Sequence, residues 1–196
     1  MQNFQKIFNF FLYIILIYFL FLSMQPPRFY ILHPTIQAYP NNIKEIEIIV
    51  RDYLPKRTPE NIQFFKLIDN NPMEAFRGKI SNEQYNKINK IILSKELAKI
   101  IIYYKKLYNR ARPSQIAPEL VKPLHSKTAK TPGYPASHTV QAFIAARILS
   151  KWVPNRKQEW EEIAERCANI RIIAGLHYPS DIEFGKRLAN RININF

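Results

Sequence analysis

The sequence predicts an all-α fold, a single helical bundle preceded by a hydrophobic N-terminal helix. Three observations carry this. Apolar residues recur at three- and four-residue steps over most of the chain. Alternation of period two is nowhere sustained. Only 4 Gly in 196 residues leave little material for hairpin turns. The length suits one domain with a full-sized core. A hydrophobic fraction of 47% excludes global disorder, and a single Cys excludes an internal disulfide framework or a cysteine-based zinc cluster.

Residues 10–22, FFLYIILIYFLFL, are an unbroken apolar run that Ile7 and Phe8 extend. A span needs about 20 residues, with a lower limit near 17. The exit, Leu22-Ser23-Met24-Gln25-Pro26, lacks the small residues of a cleavage site. Residues 1–24 therefore read as a signal-anchor in preference to a removed signal peptide. The prolines at 26, 27, 34 and 40 make residues 25–42 an extended tether. The rest, residues 43–196, reads as one domain.

Helix starts recur along that domain. Thr58 precedes Pro59, and Asn71 precedes Pro72 with Glu74 at the capping distance. Ser81 with Gln84, Asn155 with Gln158 and Ser180 with Glu183 repeat the capping-box spacing. Ile91, Ile92, Leu97, Ile100, Ile101, Tyr104, Leu107 and Tyr108 form one apolar stripe. Val140 to Leu149 and Ile163 to Ala174 supply two more, for about six to eight helices in all.

The formal net charge of +14 fits nucleic acid, an anionic membrane surface or an anionic substrate. A Lys/Asn/Ile-rich composition with dispersed basic charge explains it equally well. Three clusters narrow the choice. In the first, Lys105 and Arg112 are seven residues apart, two helical turns, and Pro113 breaks the helix after them. Two cations on one face suit a doubly charged oxyanion. In the second, Pro135-Ala136-Ser137-His138 precedes a helix, whose free N–H groups favour anions. In the third, Arg171 ends an apolar helix, His177 sits in a turn and Asp181 starts the next helix. A carboxylate on one imidazole nitrogen frees the other as nucleophile or base.

In combination, Lys105-x6-Arg112-Pro113, then Pro135-Ala136-Ser137-His138, then Arg171-x5-His177-x3-Asp181 resemble the type 2 phosphatidic acid phosphatase superfamily. That superfamily also holds the class A acid phosphatases and the vanadium haloperoxidases. The resemblance covers roughly residues 100 to 190. It implies a helical bundle of that type and a metal-independent phosphatase working through a phosphohistidine. By the resemblance, His177 is the nucleophile, Asp181 orients it, and His138 protonates the leaving oxygen. Lys105, Arg112 and Arg171, with Ser137, bind the phosphate. The sequence departs from the family pattern at two places. Ala136-Ser137 stands where the family has Ser-Gly, and Ile170 stands where it has Ser before the arginine.

The alternative is a vanadium-dependent haloperoxidase, which the short chain disfavours. No metal is expected, since no Asp/Glu/His cluster suggests one. Vanadate is expected as an inhibitor, or as cofactor under the alternative. Nucleic acid is not expected as a partner, because electrostatic binding needs neither His138, His177 nor Asp181. The expected substrate is a small phosphomonoester or a lipid phosphate or diphosphate. The expected location is a membrane, through the N-terminal helix, with the domain on the non-cytoplasmic side. Oligomeric state is not legible.

Overall fold

The computed structural model describes residues 39–194. The apolar segment 1–24 and most of the 25–42 tether lie outside the described residues. Among the described residues every regular element is helical, as the patterning predicts. None of these helices is long and apolar enough to cross a membrane.

Helix α1 (Asn42–Ile48) starts on Asn41, whose side-chain oxygen accepts from the Ile43 N–H. It runs on through a wide turn, Ile49–Tyr53, and a tight one, Leu54–Lys56. Helix α2 (Pro59–Ile68) takes Thr58 as its cap and proline in its first turn. A 3-10 turn, Pro72–Phe76, leads to α3 (Asn82–Ile92), where Ser81 and Gln84 close the expected capping box. Then come α4 (Lys95–Tyr108), the short α5 (Pro113–Ile116), α6 (Ser137–Trp152), α7 (Lys157–Ile173) and α8 (Pro179–Arg191).

Helix α6 is the centre, packed most extensively on α7 and then on α8. Ala142, Ala145 and Ala146 of α6 and Ala164 and Ala168 of α7 are all buried. Small side chains let two helices approach closely along such a seam. Trp160 is fully buried, with its ring centroid 6.5 Å from that of Phe76. Tyr134, ahead of α6, stacks on Phe184 of α8 at 4.6 Å. These contacts fix the start of α6 against the start of α8.

Four local readings are corrected. The stripe from Ile91 to Tyr108 belongs to two helices, because Ser94 caps a new one by accepting from the Leu97 N–H. Leu107 is accordingly exposed. Helix α7 begins after a 3-10 turn at Pro154–Arg156, so Asn155 caps nothing and Gln158 donates to Glu162. Glu74 closes no box on Asn71; Arg77 and Tyr85 hold its carboxylate. Ser180 lies inside the first turn of α8, with its hydroxyl turned to Glu45.

Candidate active site

Helix α4 delivers Lys105 in its last turn, buried and donating to the Pro132 carbonyl. The helix ends at Tyr108, and Asn109 caps it in the left-handed region with φ 42°, which Asn tolerates better than most residues. Arg112 therefore does not share a helix face with Lys105, as the seven-residue spacing suggested. It arrives on extended chain beyond the turn, with φ −76° and ψ 159°. Its Nε donates to Thr131 O at 3.0 Å and its Nη1 to Leu176 O at 2.7 Å. Both cations thus rest on main-chain oxygens.

The second cluster forms the N-terminus of α6. Its first intrahelical bond is Val140 N–H to Ala136 O. The N–H groups of Ser137, His138 and Thr139 have no acceptor within the helix, the usual condition of a first turn. Ser137 is half-buried there. His138 is buried, and its Nε2 donates to the Asp69 main-chain oxygen at 2.9 Å. Burial pulls His138 down to about 3, and Arg171 adds to the effect.

The third cluster joins α7 to α8. Arg171, in the last turn of α7, is 1% exposed. Its Nη1 donates to Asp69 Oδ1 at 2.7 Å, while its buried Nε has no acceptor within the protein. Gly175 turns the chain at φ +73°. A Cβ there would meet Arg57 at 2.8 Å and Val121 at 2.9 Å, so conformation and space both require glycine. Next, His177 Nδ1 lies 3.1 Å from Asp181 Oδ2. An ionised carboxylate accepts only, so Nδ1 carries the proton. The opposite nitrogen, Nε2, is 3.3 Å from Arg112 Nη1 and accepts there. Burial, then Arg112, Lys105, Arg171 and His138, hold the His177 imidazole well below its usual range.

All seven residues singled out from the sequence lie in this region. Six are buried, with Ser137 at the rim. Burial pulls Lys105 down to about 7 and Arg112 to about 10, each also repelled by neighbouring cations. Such a cluster of desolvated cations suits an oxyanion. Among the described residues no three of His, Cys, Asp and Glu converge as metal ligands would. An open cleft of about 400 Å³ runs beside Arg112, between Asn109 and Gln115 on one side and Lys130 and Thr131 on the other.

Three residues were missed. Asp69 ties Arg171 to the loop through Ser126 Oγ and the Lys127 N–H. Burial pushes its carboxyl up, but these partners together hold it below the usual range. Arg110 is fully buried, with Asp181 on one side and Glu45 on the other. Arg110 stood inside the first cluster, and its place two residues before Arg112 was the only signal. Asp69 and Glu45 meet their arginines 102 and 65 residues away in sequence, and no local pattern marks them.

The PAP2 superfamily model matches residues 88–189, just over half of the chain. The non-specific acid phosphatases of Salmonella typhi and of Salmonella typhimurium strain LT2 are each 32% identical to it over 84 residues. That stretch is 42% of this chain and 34% of theirs, so the chain spans about a third of the length of these relatives. Lys105, His138 and His177 all fall within residues 88–189.

Proposed function

The chain belongs to the PAP2 superfamily, and from that premise we propose that it is a metal-independent phosphatase acting through a phosphohistidine on His177. One observation carries the proposal. The His177 nitrogen opposite Asp181 faces Arg112, within a cluster that also holds Lys105 and Arg171. Phosphoryl transfer needs in-line positioning and charge neutralisation above all, and fixed buried cations provide both. The names of the two relatives agree with such chemistry.

His177 Nε2 attacks phosphorus as the bond to the leaving oxygen breaks. Asp181 holds the proton on Nδ1 and stabilises the charge the ring acquires. Lys105, Arg112 and Arg171 take the phosphoryl oxygens, together with the N–H groups at the start of α6. The buried Nε of Arg171 is a ready donor for one of them. Ser137, one position later than the family serine, offers its hydroxyl from the rim. His138 protonates the leaving oxygen and then activates water to release phosphate. Its Nε2 is engaged by Asp69 O, which leaves Nδ1 to exchange protons. Negative charge on the bound phosphate offsets burial and Arg171, and so returns His138 to the charged form that an acid requires.

The polar cleft beside Arg112 suits a small, polar phosphomonoester. The apolar run at residues 10–22 favours attachment to a membrane, where a lipid phosphate is also within reach. The test is nitrophenyl phosphate turnover by the full chain with mass analysis of rapidly quenched protein. His138→Ala should accumulate phosphate on His177, and His177→Ala should carry none and turn over nothing. Phosphate on His138 in either variant reverses the roles. Loss of activity in EDTA that magnesium restores removes the metal-independent reading. Bromide oxidation by peroxide on adding vanadate, without phosphatase activity, would favour the haloperoxidase instead.

A further inference from the structure

We propose that Arg110 and Glu45 are positioning residues for the His177–Asp181 pair, with Arg110 fixing the catalytic carboxylate and Glu45 limiting its pull. The inference rests on the phosphatase reading for its activity readout and on geometry for the rest. Arg110 Nη1 donates to Asp181 Oδ1 at 2.7 Å. The other oxygen, Oδ2, accepts from His177 Nδ1 at 3.1 Å and from the Tyr178 N–H at 3.0 Å. The carboxylate is thus gripped on one oxygen and presents the other to the imidazole. Rotation about its last bond would break the grip and the presentation together.

Every donor of Arg110 that faces α1 or α8 is engaged. Nη1 also donates to Ser180 Oγ at 2.6 Å, Nη2 to Glu45 Oε2, and Nε to Asn42 Oδ1 at 3.0 Å. Glu45 in turn accepts from the Ser180 N–H at 2.8 Å and from its hydroxyl at 2.6 Å. Tyr178 lies beneath the guanidinium with its ring centre 3.9 Å away, and Tyr39 flanks it at 4.7 Å. A guanidinium with 0% exposure held at this many points is a fixed fork, a role lysine cannot reproduce.

The charge balance gives the pair its purpose. Burial pushes the Asp181 carboxyl up to about 6, against the pull of Arg110 and Lys105. The other groups acting on that carboxylate are His177, Arg112, Tyr134 and Tyr178. Without Arg110 the buried carboxylate would take up a proton more readily and cease to accept from Nδ1. Without Glu45 the whole charge of Arg110 would act on Asp181, and the carboxylate would hold the imidazole proton less strongly. Arg110 and Glu45 therefore move the protonation of Asp181 in opposite directions.

The experiment compares Arg110→Met, Arg110→Lys and Glu45→Gln with the natural full chain, kept dispersed in mild detergent. Activity gives kcat and KM across pH, and ¹⁵N NMR of labelled histidine gives the His177 tautomer without reference to turnover. Arg110→Met should lower kcat about 10- to 100-fold, the scale on which orienting partners of an imidazole act. It should leave KM nearly unchanged and move the acidic limb of the pH profile upward. It should also mix the His177 tautomers. Glu45→Gln should move the acidic limb downward. Arg110→Lys should return the limb and only part of kcat, and it serves as the probe if Arg110→Met does not fold. Limbs that stay put, or move the same way in the Arg110 and Glu45 variants, overturn the proposal, as does an unchanged His177 tautomer in Arg110→Met. If the natural chain turns over no phosphoester, the phosphatase reading fails while the NMR comparison still decides this one.

Discussion

His138 and Asp69 are joined through the main chain: the imidazole Nε2 donates to the Asp69 carbonyl at 2.9 Å, while the Asp69 carboxylate holds Arg171 at 2.7 Å. One residue at the end of α2 therefore supports both the proposed acid and one of the proposed phosphate ligands. Burial keeps the His138 ring uncharged and the arginine that Asp69 steadies adds to this, while Asp69 itself works the other way.

The first prediction concerns pH. Unfolded histidine titrates near 6.5. His138 in the folded chain is lowered to about 3, and His177 is lowered as well. Stability from a lowered histidine is fully present above pH 6.5 and is lost as pH falls. Asp181 acts oppositely, because its carboxyl is raised to about 6 and the folded form binds that proton first. Between pH 6 and 4.5 the unfolded chain holds about two of these protons where the folded chain holds about one. Stability should therefore fall by about 1.4 kcal/mol per pH unit. Urea midpoints across that range check this. His138→Gln should flatten the slope, and a stability that rises on acidification would refute the account.

The second prediction is Asp69→Asn. The substitution keeps the carbonyl that serves His138 and removes the charge that serves Arg171. Breaking a buried ion pair from one side costs about 3–5 kcal/mol, because the partner charge stays behind uncompensated. The kcat/KM value should fall at least roughly tenfold. The loss should fall on both nitrophenyl and alkyl phosphates and be somewhat larger for the alkyl one, since the Asp69 charge that is removed also favours the protonated form of His138. A stability change below about 1 kcal/mol would mean that Arg171 finds another partner.

The third is Gly133→Ala. A Cβ at this position would stand 3.0 Å from Asp181 Oδ2, the oxygen that accepts from His177. The methyl should displace the carboxylate and lower kcat, with about 1–3 kcal/mol of lost stability from overpacking. Circular dichroism separates the two effects. A fully active Gly133→Ala would show that Asp181 tolerates the shift.

The fourth concerns truncation. Removing residues 1–24 should leave a folded, active domain, because the three clusters all lie beyond residue 100. Removing residues 1–48 should abolish turnover, because helix α1 leaves whole, with buried Ile46 and with the Glu45 and Asn42 that hold Arg110. Inactivity of the shorter deletion in a folded protein would make the N-terminal segment part of the site.

Much of this was legible in the sequence because the chemistry sits in short blocks. Lys105, Arg112, His138, Arg171, His177 and Asp181 carry their spacing with them, and one family pattern collects them. The helical class was legible for the same reason, since Thr58 and Ser81 announce their helices by caps that act within a turn. What escaped was long-range. Asp69 and Glu45 are ordinary acidic residues until the fold sets them against Arg171 and Arg110. The positions of Asn155 and Ser180 misled because the capping-box spacing arises by chance: Pro154 opens a 3-10 turn ahead of α7, and Pro179 starts α8. The 105-to-112 spacing named two residues that the fold does set in one cluster, but not on one helix face, since Asn109 ends the helix between them.

Lys105 and Arg112 are held by the carbonyl oxygens of Pro132, Thr131 and Leu176, groups that every amino acid possesses. The loop from residue 117 to residue 132 therefore serves these two cations through its path, and its side chains enter the site at Ser126 and Thr128, which bind Asp69. Mutational drift along its outer face is nearly free of charge to the chemistry so long as the path survives. Selection can then reshape the rim of the cleft around Lys130 for a new leaving group without disturbing the two cations beneath. A directed library confined to Ala129, Lys130 and Thr131 is the natural place to seek altered preference in this chain.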